Sequence, residues 1–195
     1  MKKIISDIIF LLLIIDPLGN LPIFINILKN INYKRRFFII IREMIFSLFI
    51  MFIFLFFGEK ILFFLNLKNY VVSISGGIIL FLIALKMIFL ENKDKSIIKK
   101  NNEPFLVPIA IPLISGPSIL SSLIIFSHNY SNNIKYVIFI LFISWLIALI
   151  ILLISNYLIK FLGKQGMIAI ERIMGLILIM ISIQMILNGI KSYLN

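Results

Sequence analysis

The chain has 195 residues, 62% of them hydrophobic and only 14% charged, with a formal net charge of +11 and no cysteine. A mean hydropathy of +1.13 describes an integral membrane protein with one membrane domain. The missing cysteine excludes thiol chemistry, disulfides and cysteine metal sites. Lys and Arg fall between apolar runs rather than along one face, so they read as cytoplasmic loop charge and not as a nucleic-acid surface.

Six apolar runs of spanning length follow one another at 4–28, 37–57, 70–90, 104–127, 136–158 and 167–190. Met1-Lys2-Lys3 before the first run imitates a signal peptide, but no small-x-small cleavage site follows, so the run is expected to stay as a membrane helix. Inside it lies Asp16-Pro17-Leu18-Gly19-Asn20-Leu21-Pro22. At ~1.5 Å per residue Asp16 is ~18 Å beyond Ile4, near the centre of a ~30 Å hydrocarbon layer. Pro17 donates no backbone hydrogen bond and disfavours helical geometry at Asp16, so the helix is expected to break there. Broken backbone at that depth survives only buried in protein or against a polar cavity. The stretch therefore reads as a site, with Asp16, Pro17, Gly19, Asn20 and Pro22 as its candidate residues. Asp followed by Pro is also an ordinary helix start. The cap and a functional carboxyl are compatible, since an acid at midplane depth points by default to an ion or proton pathway.

The second run carries Arg42-Glu43, read as an interfacial anchor, and Ile61–Leu67 beyond it is too short to cross. The third carries Gly76 and Gly77, expected to let helices approach closely, and Lys86, expected to snorkel. Glu91–Glu103, rich in Lys and Asn, is the one real linker; repeat A is about 1–90 and repeat B about 104–195. Pro104 suits the first turn of the fourth run. Ser115-Gly116-Pro117-Ser118 forms a second break within it, and His128 lies just past its end. The sixth run holds Gly175, again expected at a close helix contact, with Glu171-Arg172 near its start.

Sliding the chain by 98 residues lays Gly77–Ile88 on Gly175–Ile186, and sliding it by 100 lays Pro17 on Pro117. Each half thus opens with a proline-broken helix and closes with a glycine-led one. Three spans per half force the halves into opposite orientations, giving an all-α bundle of six transmembrane helices built as a 3+3 inverted repeat, with helices 1 and 4 broken near the midplane. Eleven basic residues fall in the first, third and fifth loops against six on the other side. The positive-inside rule then sets both termini outside the cytoplasm, although Lys2 and Lys3 pull the other way.

With both breaks in view the chain resembles the MarC family of bacterial inner-membrane proteins. The residues that carry the likeness are Ile14–Phe24 (IIDPLGNLPIF) and Pro104–Leu120 (PFLVPIAIPLISGPSIL), supported by Ser73–Phe89 and Glu171–Met180. Many members carry Asn-Pro where this chain has Asp16-Pro17, so it is most similar to the Asp-bearing branch. The family resembles the LysE-type exporter superfamily, and the resemblance implies a carrier of small solutes, with neutral amino acids as the substrate class. A substrate site between the two breaks would use Asp16, Pro17, Gly19, Asn20, Pro22, Ser115, Gly116, Pro117 and Ser118, with Asp16 the candidate for a coupling proton or sodium ion. The alternatives are a membrane accessory or assembly protein, and a channel. Enzyme readings fare badly. His128 is misplaced for a Ser–His hydrolase, Asp16 shows no buried acidic companion for an aspartyl protease, and there is no phosphate-binding glycine loop. No cofactor, metal or nucleic-acid partner is expected; the lipid bilayer is, and a homo-oligomer is compatible with the sequence.

Overall fold

The computed structural model describes residues 2–21, 24, 28, 31–89 and 114–194. Among these residues the fold is all-helical: α1 (Lys2–Ile15), α2 (Tyr33–Phe64), α3 (Asn69–Phe89), α4 (Pro117–Asn129), a short 3-10 turn (Ser131–Asn133), α5 (Ile134–Leu153) and α6 (Ser155–Leu194). Four helical stretches are long and apolar enough to cross a membrane: Arg35–Phe64, Asn69–Phe89, Ile134–Leu153 and Gln165–Leu194. With 14 and 13 residues, α1 and α4 reach only ~20 Å, because each ends or begins at a proline break. The described residues therefore hold four full-length helices and two half-length ones, with α1 ending and α4 beginning at the two breaks expected from the sequence. The linker 91–103, Pro104 and Pro22 lie outside the described residues.

Two further boundaries differ from expectation. Ile61 to Phe64 continues α2 instead of forming a separate interfacial piece, since nothing there breaks a helix. The helix ends at Phe64, and two residues on Asn66 takes a left-handed φ of 54°. Leu67 N–H reaches the Leu62 carbonyl at 2.8 Å and Asn66 N–H the Phe63 carbonyl at 3.0 Å, closing the end as a Schellman motif. In α6 the backbone leaves helical geometry at Gly163 (φ 64°, ψ −179°), a conformation that glycine alone adopts without strain, so the spanning part starts just after it.

Contacts gather six helix ends at one face. The Tyr130 and Tyr136 hydroxyls donate to Asp7 Oδ2, Glu59 pairs with His128, and the rings of Tyr70 and Tyr193 meet at 5.3 Å. Lys2 and Leu194 thus lie at the same end of the bundle, called here the terminal face.

Within the bundle α1 packs against α5 and α4 against α2, around one large apolar core that runs from Leu11, Ile14 and Ile15 through Met44, Met51, Ile119 and Leu123 to Ile140 and Trp145. The most extensive pairing is α3 with α6, closed by its own cluster of Leu80, Ala84, Leu178 and Met185. Glycine sets its closeness. A Cβ added at Gly77 would meet Ile186 Cγ1 at 2.7 Å and the Ser182 carbonyl at 2.9 Å. One added at Gly175 would meet Ile88 Cγ1 at 2.8 Å and the Ala84 carbonyl at 3.1 Å. The 98-residue shift turns Gly77 into Gly175, Ala84 into Ser182 and Ile88 into Ile186. The same contact is made twice with roles exchanged, the signature of a local two-fold relation between antiparallel helices. Gly76 lies as close to α4, where a Cβ would sit 2.7 Å from Ser121 Cβ.

An added methyl at either site must displace backbone, which costs about 1–3 kcal/mol as overpacking does. Gly77→Ala and Gly175→Ala should therefore lower thermal stability in detergent by similar amounts. A loss at only one of the two positions would contradict the reciprocal packing.

Candidate functional site

The first break is built by two side chains that take over the orphaned backbone groups. The last helical bond of α1 runs from Asp16 N–H to the Leu12 carbonyl at 3.0 Å. Asp16 then turns left-handed at φ 48°, a conformation Asp tolerates better than most residues, and Pro17 prevents the helix from continuing. The Asp16 carboxylate swings forward and accepts the Gly19 N–H at Oδ1, 3.0 Å away. This is the N-cap bond to the third residue of a new helical turn, with Pro17 in the first position. Asn20 Nδ2 reaches back to the Ile15 carbonyl at 3.3 Å. Helical bonding resumes with Asn20 N–H to the Asp16 carbonyl and Phe24 N–H to the Asn20 carbonyl. Asp16 is only 4% exposed, and Pro17 and Gly19 are buried with it. Gly19 has no room for a side chain: a Cβ there would collide with the Asp16 carboxyl and with the Met87 methyl of α3.

The second break is built differently. Gly116 is the N-cap of α4, extended at φ −73° and ψ 168°, and offers no side chain to the helix end. Pro117 at the first position has no N–H, and the first helical bond is Leu120 N–H to the Gly116 carbonyl at 3.2 Å. No described residue accepts from the Ser118 or Ile119 N–H. Ser118 is 4% exposed and its Oγ has no hydrogen-bond partner among the described residues. Ser115 is buried beside it, while Pro117 is exposed. The first break thus caps its own restart, whereas at the second, among the described residues, two N–H groups and a hydroxyl at the positive end of a helix have no partner.

The two breaks share one core, in which Ile14, Ile15 and Leu21 on one side join Ile114 and Ile119 on the other. Their levels differ. Gly19 abuts Met87, near the far end of α3, while Ser121, one turn above Ser118, abuts Gly76. On a ~1.5 Å rise the breaks are staggered along α3 by on the order of 10 Å. Counting rise from the start of each run had set both at one level. That count assumed straight, untilted helices, and the turn at residues 16–20 removes the assumption.

Glu43 departs most from the sequence reading, which took Arg42-Glu43 for an interfacial anchor. It is 0% exposed. Arg42, its neighbour in the chain, folds over to donate from Nε (2.9 Å) and Nη2 (2.8 Å) to Glu43 Oε1, and Oε2 has no partner among the described residues. Spacing carried the signal: Ile40, Glu43, Ser47, Met51 and Leu55 recur at three or four residues and all are buried. Asp16 is therefore not the lone acid of the interior that the sequence suggested. Lys86 is exposed, and His128 pairs with Glu59 at the terminal face. Among the described residues no three His, Asp or Glu side chains converge to hold a metal.

A cavity of about 770 Å³ opens at the terminal face between α1, α3, α4 and α6. Ser73, Ser122 and Met185 close its deep end, and the Ser122 hydroxyl donates to the Ser118 carbonyl at 2.9 Å, so the cavity stops one helical turn short of the open α4 terminus.

Stability separates the cap from other roles of Asp16. Asp16→Asn keeps both the capping oxygen and a side chain that tolerates left-handed backbone, so thermal unfolding in detergent should shift little. Asp16→Ala loses both and should cost roughly 1–3 kcal/mol. Equal losses for the two variants would show that charge, not capping, holds the break.

Comparison with known proteins agrees with this architecture. Residues 1–194 match the model of the MarC family, described as integral membrane proteins. A UPF0056 membrane protein of Buchnera aphidicola subsp. Baizongia pistaciae is 58% identical over 196 residues, covering 99% of this chain and 98% of that protein. The UPF0056 inner membrane protein YhgN of Escherichia coli K12 is 49% identical over 195 residues, with 100% and 99% covered. A UPF0056 membrane protein of Chlamydia pneumoniae is 33% identical over 184 residues, with 92% and 90% covered. No solved structure matches significantly.

Proposed function

Because the chain belongs to the MarC family of integral membrane proteins, we propose that it is a secondary transporter of small zwitterionic solutes, most simply neutral amino acids, in the bacterial inner membrane. The observation that carries this reading is the N-terminus of α4, where among the described residues nothing accepts from the Ser118 or Ile119 N–H and the buried Ser118 hydroxyl has no partner. The terminus is buried among the described residues, and an acceptor carried by a ligand would complete it. A carboxylate fits: it takes two N–H groups and a hydroxyl, and it meets the positive end of the helix dipole. The Asp16 carboxyl, staggered by on the order of 10 Å in the same core, is too distant to hold the ammonium of the same small amino acid and suits a coupling proton or sodium ion. A scaffold gains nothing from two interrupted helices inside its core.

The proposed architecture is six spans in a 3+3 inverted repeat, the third and sixth being α3 and α6. The reciprocal Gly77–Ile186 and Gly175–Ile88 contacts support it, as does the exchange by which each half's first helix packs on the other half's second. In such folds one half rocks against the other around a fixed site. Both termini are proposed to face away from the cytoplasm. With single cysteines at Lys95 and Asn132 in this cysteine-free chain, a membrane-impermeant thiol reagent on intact cells should label position 132 and not 95. The opposite pattern would invert the topology.

Uptake of labelled alanine, serine and leucine into proteoliposomes, with and without pH and sodium gradients, tests the activity. Accumulation driven by one gradient is expected. Asp16→Asn should fold normally and abolish that accumulation, and Ser118→Ala should weaken uptake about 10-fold, the cost of one charge-assisted hydrogen bond. Absence of uptake for all three solutes under every gradient would refute the proposal.

A further inference from the structure

We propose that Asp7, held by Tyr130 and Tyr136 on the wall of the terminal-face cavity, is a first docking site for the primary ammonium group of a small organic solute. The site is distinct from the breaks and lies about nine residues, or ~14 Å of helix, before Asp16. Both tyrosine hydroxyls donate to one oxygen, Asp7 Oδ2, at 3.1 and 2.6 Å. Two phenols on one oxygen fix the carboxylate without neutralising it. They leave Oδ1 with no partner among the described residues, on a side chain that lines the cavity.

Aromatic rings complete the niche. Phe10 meets Phe126 at 5.9 Å, Phe126 stacks on Tyr130 at 5.9 Å, and Tyr130 meets Tyr136 at 5.0 Å. A carboxylate beside π faces attracts organic ammonium groups by both charge and quadrupole. The protein supplies its own example, since Lys3 Nζ lies 5.0 Å from the centre of the Tyr130 ring. The Lys3 pKa is raised above the ordinary lysine value chiefly by Tyr130, and Asp7 is the smallest of the contributing causes. Lys3 thus shows an ammonium group seated on the Tyr130 ring that holds Asp7. Lys68, on the cavity wall, makes no ion pair with a described residue, and His128 is taken by Glu59. The inference deepens the transport reading, because a docked ammonium would wait near Ser122, one turn from the carboxylate position at Ser118.

The test does not depend on transport. In the cysteine-free chain, Ser192→Cys places one thiol on the cavity wall, and its labelling rate by a maleimide on purified protein reports occupancy. Alanine and ethylamine, which share only the ammonium group, should each slow labelling several-fold, whereas N-acetylalanine should not. Asp7→Asn in the same background should abolish protection while leaving the unprotected rate unchanged, which also shows that the variant is folded; Tyr136→Phe should weaken protection. Protection by alanine alone would assign the site to the whole zwitterion and overturn ammonium recognition, as would equal protection by N-acetylalanine. No protection by any of the three overturns the docking site even if uptake is found. Protection without uptake leaves the site standing and removes the transporter.

Discussion

Everything else in this structure depends on the hydrogen bond from Gly19 N–H to the Asp16 carboxylate. A helix cannot stop inside an apolar interior unless its freed N–H and C=O groups find partners, because each unmet one costs about 1–3 kcal/mol or more. Asp16 supplies the acceptor, and Asn20 returns a donor to the Ile15 carbonyl. Gly19 makes the turn tight enough for both, since any side chain would drive the carboxylate away. The first break is held by these two side-chain bonds across its turn.

The second break gains its meaning from that contrast. By sequence it stands at the matching place in the second half of the chain and begins with the same proline, and among the described residues it shows no cap. Gly116 has nothing to offer the α4 terminus, and Ser118, the side chain that would ordinarily turn toward a neighbour, is left without one. In the proposed transporter these two breaks divide the tasks of a site: the capped one keeps a carboxyl in place, and the one without a cap among the described residues takes an anion. Glu43 adds a third buried polar group, half satisfied by Arg42, within the helix that packs on α4. Such groups are expensive to keep inside a membrane protein and mark its working parts.

Much of this was legible in the sequence. Pro17 and Pro117 forced the breaks through backbone chemistry alone, and the 98-residue register that aligned Gly77 with Gly175 is the register of the reciprocal α3–α6 contact. What stayed hidden depends on three dimensions. Asp16 and Ser115-Gly116-Pro117-Ser118 look like equivalent caps when read as strings, and only the positions of acceptors reveal that one cap is made and the other is not. The stagger of the breaks follows from tilt and turn geometry, which a count of residues does not contain. Glu43 looked interfacial because Arg42 precedes it, yet its spacing from Ile40 and Ser47 had already set it on the buried stripe of α2. The Asp7 niche joins residues 129 positions apart and has no local signature.

The most direct measurement of the central claim is the response of individual backbone amides to ligand. With ¹⁵N placed in serine, isoleucine and glycine, the Ser118 and Ile119 amide resonances of the purified protein should move on titration with alanine and stay in place with alaninamide, which lacks the carboxylate. The Gly19 amide, already bonded to Asp16, should move far less. Equal shifts with both compounds, or shifts at Gly19 and none at Ser118 and Ile119, would contradict the assignment of the open α4 terminus as the place where a carboxylate binds.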